Sequence, residues 1–343
     1  MSTEMHDRPS VVDDQATRPA RLVGIELRRL WWRRLTRYGL LTVAALVAFG
    51  MYGTWKMTQP PSPSDRAFQE QAYHQALRDF SDQVAGCRAA AEEAQRTGGP
   101  GFFECDRIPA PSTEMFGPPV ATFGGLMPDA VKGTATGSSF LLFLIGASFV
   151  AAEFRSGSMA TWLTFEPRRL RVAASKLVAT GLGALLAGIA LSAFTALGIW
   201  VVCLLNGPDS SAPEPSASLS WLVVRGLLMM TAAGVGGATI GFLVRSTAAV
   251  VGVVTGYAFI LEGIIASSWP TWQPWLIQLN VRAWLEDGAR YVVRECQSRP
   301  AGGLECSSSE LTLPLSPAWV YLLALGTALV IVAVMSFRRR DVA

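Results

Sequence analysis

Six long stretches without a charged residue constrain this chain more than any other feature. Lys132 is separated from Glu153 by 20 uncharged residues, and Glu310 is separated from Arg338 by 27. A helix needs about 20 apolar residues to cross the hydrocarbon core of a bilayer. Charged residues make up only 16% of the chain, against roughly 25% in soluble domains. The sequence therefore predicts an all-α integral membrane protein with six transmembrane helices, at 38–57, 133–152, 177–204, 220–244, 246–267 and 317–337.

Basic residues indicate which ends of these helices face the cytoplasm. Eight arginines lie in residues 1–37, five basic residues lie in 153–176, Arg245 joins the fourth and fifth helices, and 338–343 begins with three arginines. Short cytoplasmic segments are enriched in Lys and Arg. With six spans these four segments fall on one side, so both termini are predicted to be cytoplasmic. The connections at 58–132, 205–219 and 268–316 are then extracellular.

The segment before the first span is predicted to be an amphipathic elbow helix. In residues 21–37, arginines alternate with leucines and two tryptophans, which gives one cationic and one apolar face at helical spacing. Such a helix lies in the membrane interface, in contact with lipid. A simple block of charge that stops transfer across the membrane is the alternative, but it leaves Trp31 and Trp32 unexplained.

The two large extracellular segments carry four cysteines. Apolar residues recur about every four positions through 64–96 and predict a long amphipathic helix, whereas 97–128 is rich in Gly and Pro and is expected to be irregular. Four cysteines allow three pairings. Local disulfides are favoured, because each would cross-link an extracellular segment that has little hydrophobic core. A disulfide between the two segments is the alternative. The favoured pairs are Cys87–Cys105 and Cys296–Cys306.

Residues that bind nucleotides, metals or nucleic acids are scarce. The chain has two histidines and contains no HExxH, CxxC or GxxxxGK[ST] pattern, which argues against a metal or nucleotide site within it. The net charge of +3 gives no reason to expect nucleic acid as a partner. We expect no catalytic residues, no metal site and no cofactor bound by this chain.

The cytoplasmic segment 153–176 carries the most informative pattern. Glu153 is expected to close the second span, Gly157 to permit a sharp turn, and Ser158 to cap a short helix. Pro167 would end that helix, and Arg169 marks the return to the membrane. The short helix either docks on a cytoplasmic partner or lies on lipid. Its apolar residues are Met159, Trp162, Leu163 and Phe165.

This segment resembles the permeases of ABC-2 type exporters. Glu153-Phe-Arg-x-Gly157-Ser158, followed by Leu163, Pro167-x-Arg169 and Lys176, matches the pattern of that family, with Ser158 in place of its usual threonine. The basic block of the elbow helix and the stretch from Glu262 to Trp284 resemble actinobacterial members. The resemblance covers essentially all of the transmembrane part.

The resemblance implies an ABC-2 permease fold, like that of type V ABC exporters, in a bacterial plasma membrane. Two permeases would pair as a homo- or heterodimer, and each would dock on a separate cytoplasmic ABC ATPase through the short loop helix. That ATPase would bind ATP and Mg, so this chain would be a transport subunit rather than an enzyme. The substrate would be an amphiphile such as a drug, peptide, lipid or glycan.

Ionisable residues near the ends of two spans are further candidates. Glu262 and Arg225 lie at the predicted outer ends of the fifth and fourth helices, where buried charge is expensive and often functional. They are expected to form an ion pair with each other or to interact with groups at the membrane interface. The alternative is a functional role, in contact with a substrate or in proton-linked transport. Small residues at spacing three or four in the third and fourth spans predict close helix packing, within the chain or between two copies.

One alternative function stays open from the sequence. A membrane sensor or immunity subunit of the same lineage would bind an extracellular ligand through its outer loops. A membrane enzyme is disfavoured because catalytic groups are lacking. An ATPase partner is compatible with both an exporter and a sensor. Accumulation of a substrate in cells that lack this protein would support the exporter alone.

Overall fold

Residues 19–59, 62–97, 105–116, 122–206, 217–298 and 304–339 are described by a computed structural model. Within them, six helices are long and apolar enough to cross a membrane, as in a multi-pass membrane protein. This confirms the predicted number and order of spans. The spans are α2 (Arg34–Met57), α4 (Phe123–Arg155), α6 (Arg169–Asn206), α7 (Ala217–Val244), a broken helix from Thr247 to Ser268, and α11 (Leu315–Arg339).

The helix of the third span, α6, is much longer than the apolar run that predicted it. The third span was expected to start at residue 177, but α6 starts at Arg169 and has 38 residues. At 1.5 Å per residue it is about 57 Å long, well beyond the roughly 30 Å of hydrocarbon. Arg169, Arg171 and Lys176 therefore belong to the helix, and Lys176 lies two turns inside it.

By its internal contacts the chain divides into two units. The larger comprises residues 1–47, 127–196 and 215–343, and the smaller comprises 48–126 and 197–214. The smaller unit contains the predicted long amphipathic helix, α3 (Pro63–Thr97). Two short 3-10 turns, Cys105–Arg107 and Thr113–Met115, lie in the region expected to be irregular.

The start and end of α3 are fixed by specific local contacts. Ser62 and Asp65 cap its first turn reciprocally, because each backbone N–H donates to the side-chain oxygen of the other residue. The hydrogen bonds from Ser62 also hold the pKa of Asp65 below its usual value. Near the other end, the Cys87–Cys105 disulfide confirms one of the two favoured pairings.

Small residues bring α4, α6 and α7 together in the larger unit. Gly234 of α7 lies against Ala184 of α6, and a methyl group on Gly241 would come within 2.7 Å of the Ala147 carbonyl oxygen of α4. The predicted small-residue stripes therefore pack within the chain. Near one end of the unit, the ring of Phe154 contacts the rings of Phe242 and Phe337, which ties α11 to α4 and α7.

The fifth span is interrupted by a π-helix. It consists of α8 (Thr247–Thr255), the π-helical segment Gly256–Leu261 and α9 (Glu262–Ser268). A 3-10 segment, Pro270–Trp275, and the short helix α10 (Ile277–Glu286) follow it. Single π turns inside helices are rare and are frequent at functional sites.

An antiparallel hairpin departs from the all-α expectation. Strands β1 (Ala289–Ser298) and β2 (Leu304–Leu313) pair directly after α10. Their register places Cys296 opposite Cys306, which agrees with a local pairing. The side chains of these two cysteines lie outside the described part, so their disulfide stays a prediction.

Candidate functional site

The loop between α4 and α6 contains the predicted sharp turn at Gly157, but Ser158 does not cap the short helix that follows. Gly157 has a φ of 70°, the left-handed conformation that glycine adopts without strain. Gly157 itself occupies the N-cap position of α5 (Ser158–Phe165). The expected capping by Ser158 was wrong, because that residue is the first of the helix and its hydroxyl accepts a hydrogen bond from Ser156 instead.

The apolar residues of α5 divide between a buried and an exposed side. Met159 is fully buried, and Leu163 packs against the same core cluster. Phe165 is 78% exposed at the last position of the helix. The sequence predicted that all the apolar residues would share one docking face, whereas within this chain only Phe165 among them is exposed.

The N-terminal helix α1 (Pro19–Trp32) packs on the protein. It is shorter than the predicted elbow helix, because Arg34 already belongs to α2. Leu22, Glu26 and Leu30, which follow one another at spacing four, are all buried, whereas Trp32 is 66% exposed. One side of α1 therefore forms part of the core, and it brings a carboxylate with it.

Four ionisable side chains meet where α1, α4 and α6 come together. The Lys176 Nζ lies 2.9 Å from Glu26 Oε1 and 2.7 Å from Glu153 Oε2. Arg29 approaches the same two carboxylates, at 3.5 Å and 3.6 Å. We call Glu26, Arg29, Glu153 and Lys176 the buried charge cluster. It balances two carboxylates against two cations, which is what burial of charge requires.

Trp162 connects α5 to this cluster. Its indole N–H donates to Glu26 Oε1 at 2.7 Å, and the Arg29 guanidinium lies 5.4 Å from its ring centroid. Hydrogen bonds to a charged acceptor are shorter and stronger than neutral ones. The loop helix is therefore joined through one carboxylate to both α1 and α6.

A further arginine reinforces the junction of α1 with α4. Arg33 donates to the Ser148 carbonyl oxygen at 3.1 Å, and its guanidinium lies 5.3 Å from the centroid of the Phe149 ring. Burial lowers the pKa of Arg33 from its ordinary value. The Lys176 ammonium lies over the same ring, at 5.0 Å, so Phe149 contacts two cations of this region.

This arrangement is suited to transmit a displacement of α5. Removal of one member of a buried ion pair typically costs about 3–5 kcal/mol. A movement of α5 that broke the Trp162–Glu26 bond would leave Glu26 with fewer partners in a buried site. The arrangement therefore favours movement of α5 together with α1 and α6.

The remaining predicted loop residues lie at its far end. Pro167 is exposed after the end of α5, as expected of a residue that stops a helix. Arg169 begins α6, and its guanidinium donates to the Arg338 carbonyl oxygen at 3.4 Å. This contact brings the C-terminal end of α11 to the same end of the larger unit as the loop.

Arg225 and Glu262 do not pair with each other as the sequence suggested. Arg225 forms an ion pair with Asp287 at 3.0 Å, and its carbonyl oxygen accepts a hydrogen bond from the Trp284 indole. Glu262 is only 3% exposed and accepts the backbone N–H of Gln278 at 3.2 Å. Each of the two residues therefore fixes a different part of the segment around α10.

Sequence reasoning missed Glu26 as a site residue. It is the only acidic residue between Asp14 and Asp65, and it lies four residues from Leu22 and from Leu30, on the apolar face of the predicted elbow helix. A carboxylate on the apolar face of a basic helix is expected to pair with a cation when that face is buried. That signal was present in the sequence, although it did not identify Lys176 as the partner.

Comparison of the chain with models of known protein families gave no match, and comparison with curated proteins gave no significant match either.

Proposed function

We propose that this chain is the permease subunit of an ATP-driven ABC exporter and moves an amphiphilic substrate out of a bacterial cell. One observation carries the proposal: the loop helix α5 presents Phe165 to the outside while Trp162 and the buried charge cluster join it to α1 and α6. A short helix held in this way suits the transfer of force from a docked subunit into membrane helices.

The exposed side of α5 has the composition of a docking surface. Phe165 is surrounded in sequence by the exposed residues Thr164, Pro167 and Arg168. Phenylalanine and arginine are both enriched at protein interfaces. Because the sequence has no phosphate-binding loop of its own, the energy for transport would come from an ATPase subunit that binds ATP and Mg.

The same proposal assigns a topology to the chain. Arg155, Arg168 and Arg338 are exposed near the loop and the end of α11, and Arg169 contacts Arg338 directly. This concentration of cations at one end supports a cytoplasmic location for the loop and for both termini. In the proposed complex two permease copies, identical or related, pair within the lipid of the plasma membrane.

Recovery of an ATPase with the tagged chain tests this proposal. The chain would be extracted from native membranes with a C-terminal tag, and the proteins that purify with it would be identified by mass spectrometry. We expect an ABC ATPase with the wild type and at least a tenfold loss with Phe165→Asp, because the substitution places a charge in an apolar contact. Leu163 is unsuitable for this test, since it packs inside the chain.

Phe68→Asp is the matched control. Phe68 is 72% exposed on α3, in a segment that the proposal assigns to the opposite side of the membrane, so recovery should not change. If the wild type recovers no ATPase under conditions that preserve other membrane complexes, the exporter proposal is wrong. The alternative, a sensor that binds a ligand through 58–132 or 268–316, would then take its place.

A further inference from the structure

Glu262 is a buried carboxylate without a cation among the described residues. It follows the π-helical segment of the fifth span and is only 3% exposed. Its Oε1 accepts one backbone N–H, from Gln278, and the Tyr257 hydroxyl also hydrogen-bonds to the carboxylate, so its partners among the described residues are neutral donors. A carboxylate in a membrane span is costly unless its charge is compensated, so Glu262 is a candidate to bind a cation.

The neighbouring cations are already occupied. Arg225 pairs with Asp287 at 3.0 Å, and Arg282 pairs with Glu286 at 2.9 Å. The first turn of α10 supplies Glu262 with a single neutral donor. These residues therefore leave the Glu262 carboxylate without a paired cation.

The surroundings of Glu262 suit an organic cation. The hydroxyl groups of Tyr257 and Tyr321 are near enough to interact electrostatically with the carboxylate. The Tyr321 ring is also packed against Trp275, with centroids 6.2 Å apart. Aromatic rings attract cations through their π faces, and an ammonium group carries a positive charge together with N–H donors for the carboxylate.

An apolar surface continues from the carboxylate on both sides. Leu261 and Ile264 are each 50% exposed on the span, and Trp272 and Trp275 are more than 60% exposed just beyond it. Tryptophan favours the headgroup layer of a membrane. A molecule that fits this surface has a hydrocarbon part along the span and a charged end at the depth of Glu262.

We infer that Glu262 binds the ammonium group of a cationic amphiphile between the fifth span and α10. The inference rests on the proposed function, because it names the chemical class of the exported substrate. Binding of the cation to Glu262 does not itself require an ATPase. A cation at this carboxylate would complete the charge balance that the described residues leave open.

Binding of a matched pair of probes tests this inference. The purified full chain would be placed in nanodiscs of phosphatidylcholine, and energy transfer from tryptophan to a dansyl group would report binding. Dansylcadaverine carries a primary ammonium, and its N-acetyl derivative has the same dansyl and alkyl parts without the charge. We expect wild type to bind the ammonium probe about tenfold more tightly than the acetylated one, as a hydrogen bond to a charged group supplies.

Three variants separate a binding role from a structural one. Glu262→Gln should remove the preference for the ammonium probe, Glu262→Asp should retain part of it, and Glu310→Gln should bind as wild type does. Glu310 is half exposed in the hairpin and pairs with Arg290 at 3.5 Å, so it controls for loss of one negative charge. Unchanged preference in Glu262→Gln, or no preference in wild type, would overturn the inference.

A measurement on the unmodified chain decides the case if Glu262→Gln does not fold. Dicyclohexylcarbodiimide labels carboxyl groups in apolar sites, and peptide mass spectrometry would quantify the label on Glu262. The N,N-dimethyl derivative of dansylcadaverine, whose tertiary ammonium keeps one N–H and cannot form an amide with the activated carboxyl group, should protect Glu262, and the acetylated probe should not. Equal labelling with both probes overturns the inference. Binding without recovery of any ATPase would leave this site intact and refute only the exporter proposal.

Discussion

Lys176 on α6 and Glu26 on α1 form an ion pair of 2.9 Å in which both side chains are almost completely buried. The two residues are 150 positions apart in sequence. This pair makes α1 part of the larger unit rather than a helix that only rests on lipid. Because Glu26 also accepts the Trp162 indole N–H, the same carboxylate determines where the loop helix lies.

Removal of Lys176 should destabilise the protein more than removal of the Glu26 charge. Lys176→Met leaves Glu26 and Glu153 buried, with only the partly exposed Arg29 between them, and we expect a loss of about 3–5 kcal/mol. Glu26→Gln keeps the 2.7 Å pair of Lys176 with Glu153 and retains an acceptor for Trp162. Its loss should be about 1–3 kcal/mol. Thermal unfolding of the purified variants in detergent would rank them.

Lys132→Met is the control for that experiment. Lys132 pairs with Asp129, whose side chain is 85% exposed, and exposed pairs contribute about 0–1 kcal/mol. Lys132→Met makes the same chemical change as Lys176→Met, and Lys132 also lies on a long helix of the larger unit, α4. The buried-cluster interpretation fails if Lys176→Met unfolds at the same temperature as Lys132→Met.

The Cys87–Cys105 disulfide should protect the end of α3 from proteolysis. The two residues are separated by 18 positions, and closure of a loop of this length is worth about 3 kcal/mol in the unfolded ensemble. We expect Cys87→Ser, Cys105→Ser and the double variant to be cleaved by thermolysin at the same increased rate. Cys203→Ser, which removes a thiol of α6 outside this bond, should be cleaved like wild type. A double variant cleaved faster than either single one would refute this account.

The sequence was sufficient for features that depend on composition or local spacing. Long apolar runs predicted six spans, Gly157 predicted the turn before α5, and the spacing of Cys87 and Cys105 favoured their bond. These features need no knowledge of which helices are neighbours. The sequence did not predict the hairpin at 289–313, because its two strands show little regular alternation of apolar and polar residues.

The buried charge cluster could not be predicted because it depends on tertiary contacts. Basic residues before an apolar run were interpreted as a membrane boundary, so Lys176 was placed at the surface. In the structure α6 extends two turns further, and Glu26 and Glu153 compensate the lysine inside the protein. A charge at the edge of an apolar run is therefore ambiguous until its partners on other helices are known.

Close packing of α7 on α4 gives a prediction that separates steric contact from helix propensity. Gly237 lies so near the backbone of Phe143 that a methyl group on it would overlap the Phe143 carbonyl oxygen. Gly237→Ala must therefore push the two helices apart, at a cost of about 1–3 kcal/mol or more. Gly252 of α8 has nothing within 4 Å of the same position, so Gly252→Ala should leave stability unchanged or raise it by up to about 1 kcal/mol. Thermal unfolding of both variants in detergent checks the contrast, and equal unfolding temperatures would mean that α7 and α4 do not pack at Gly237.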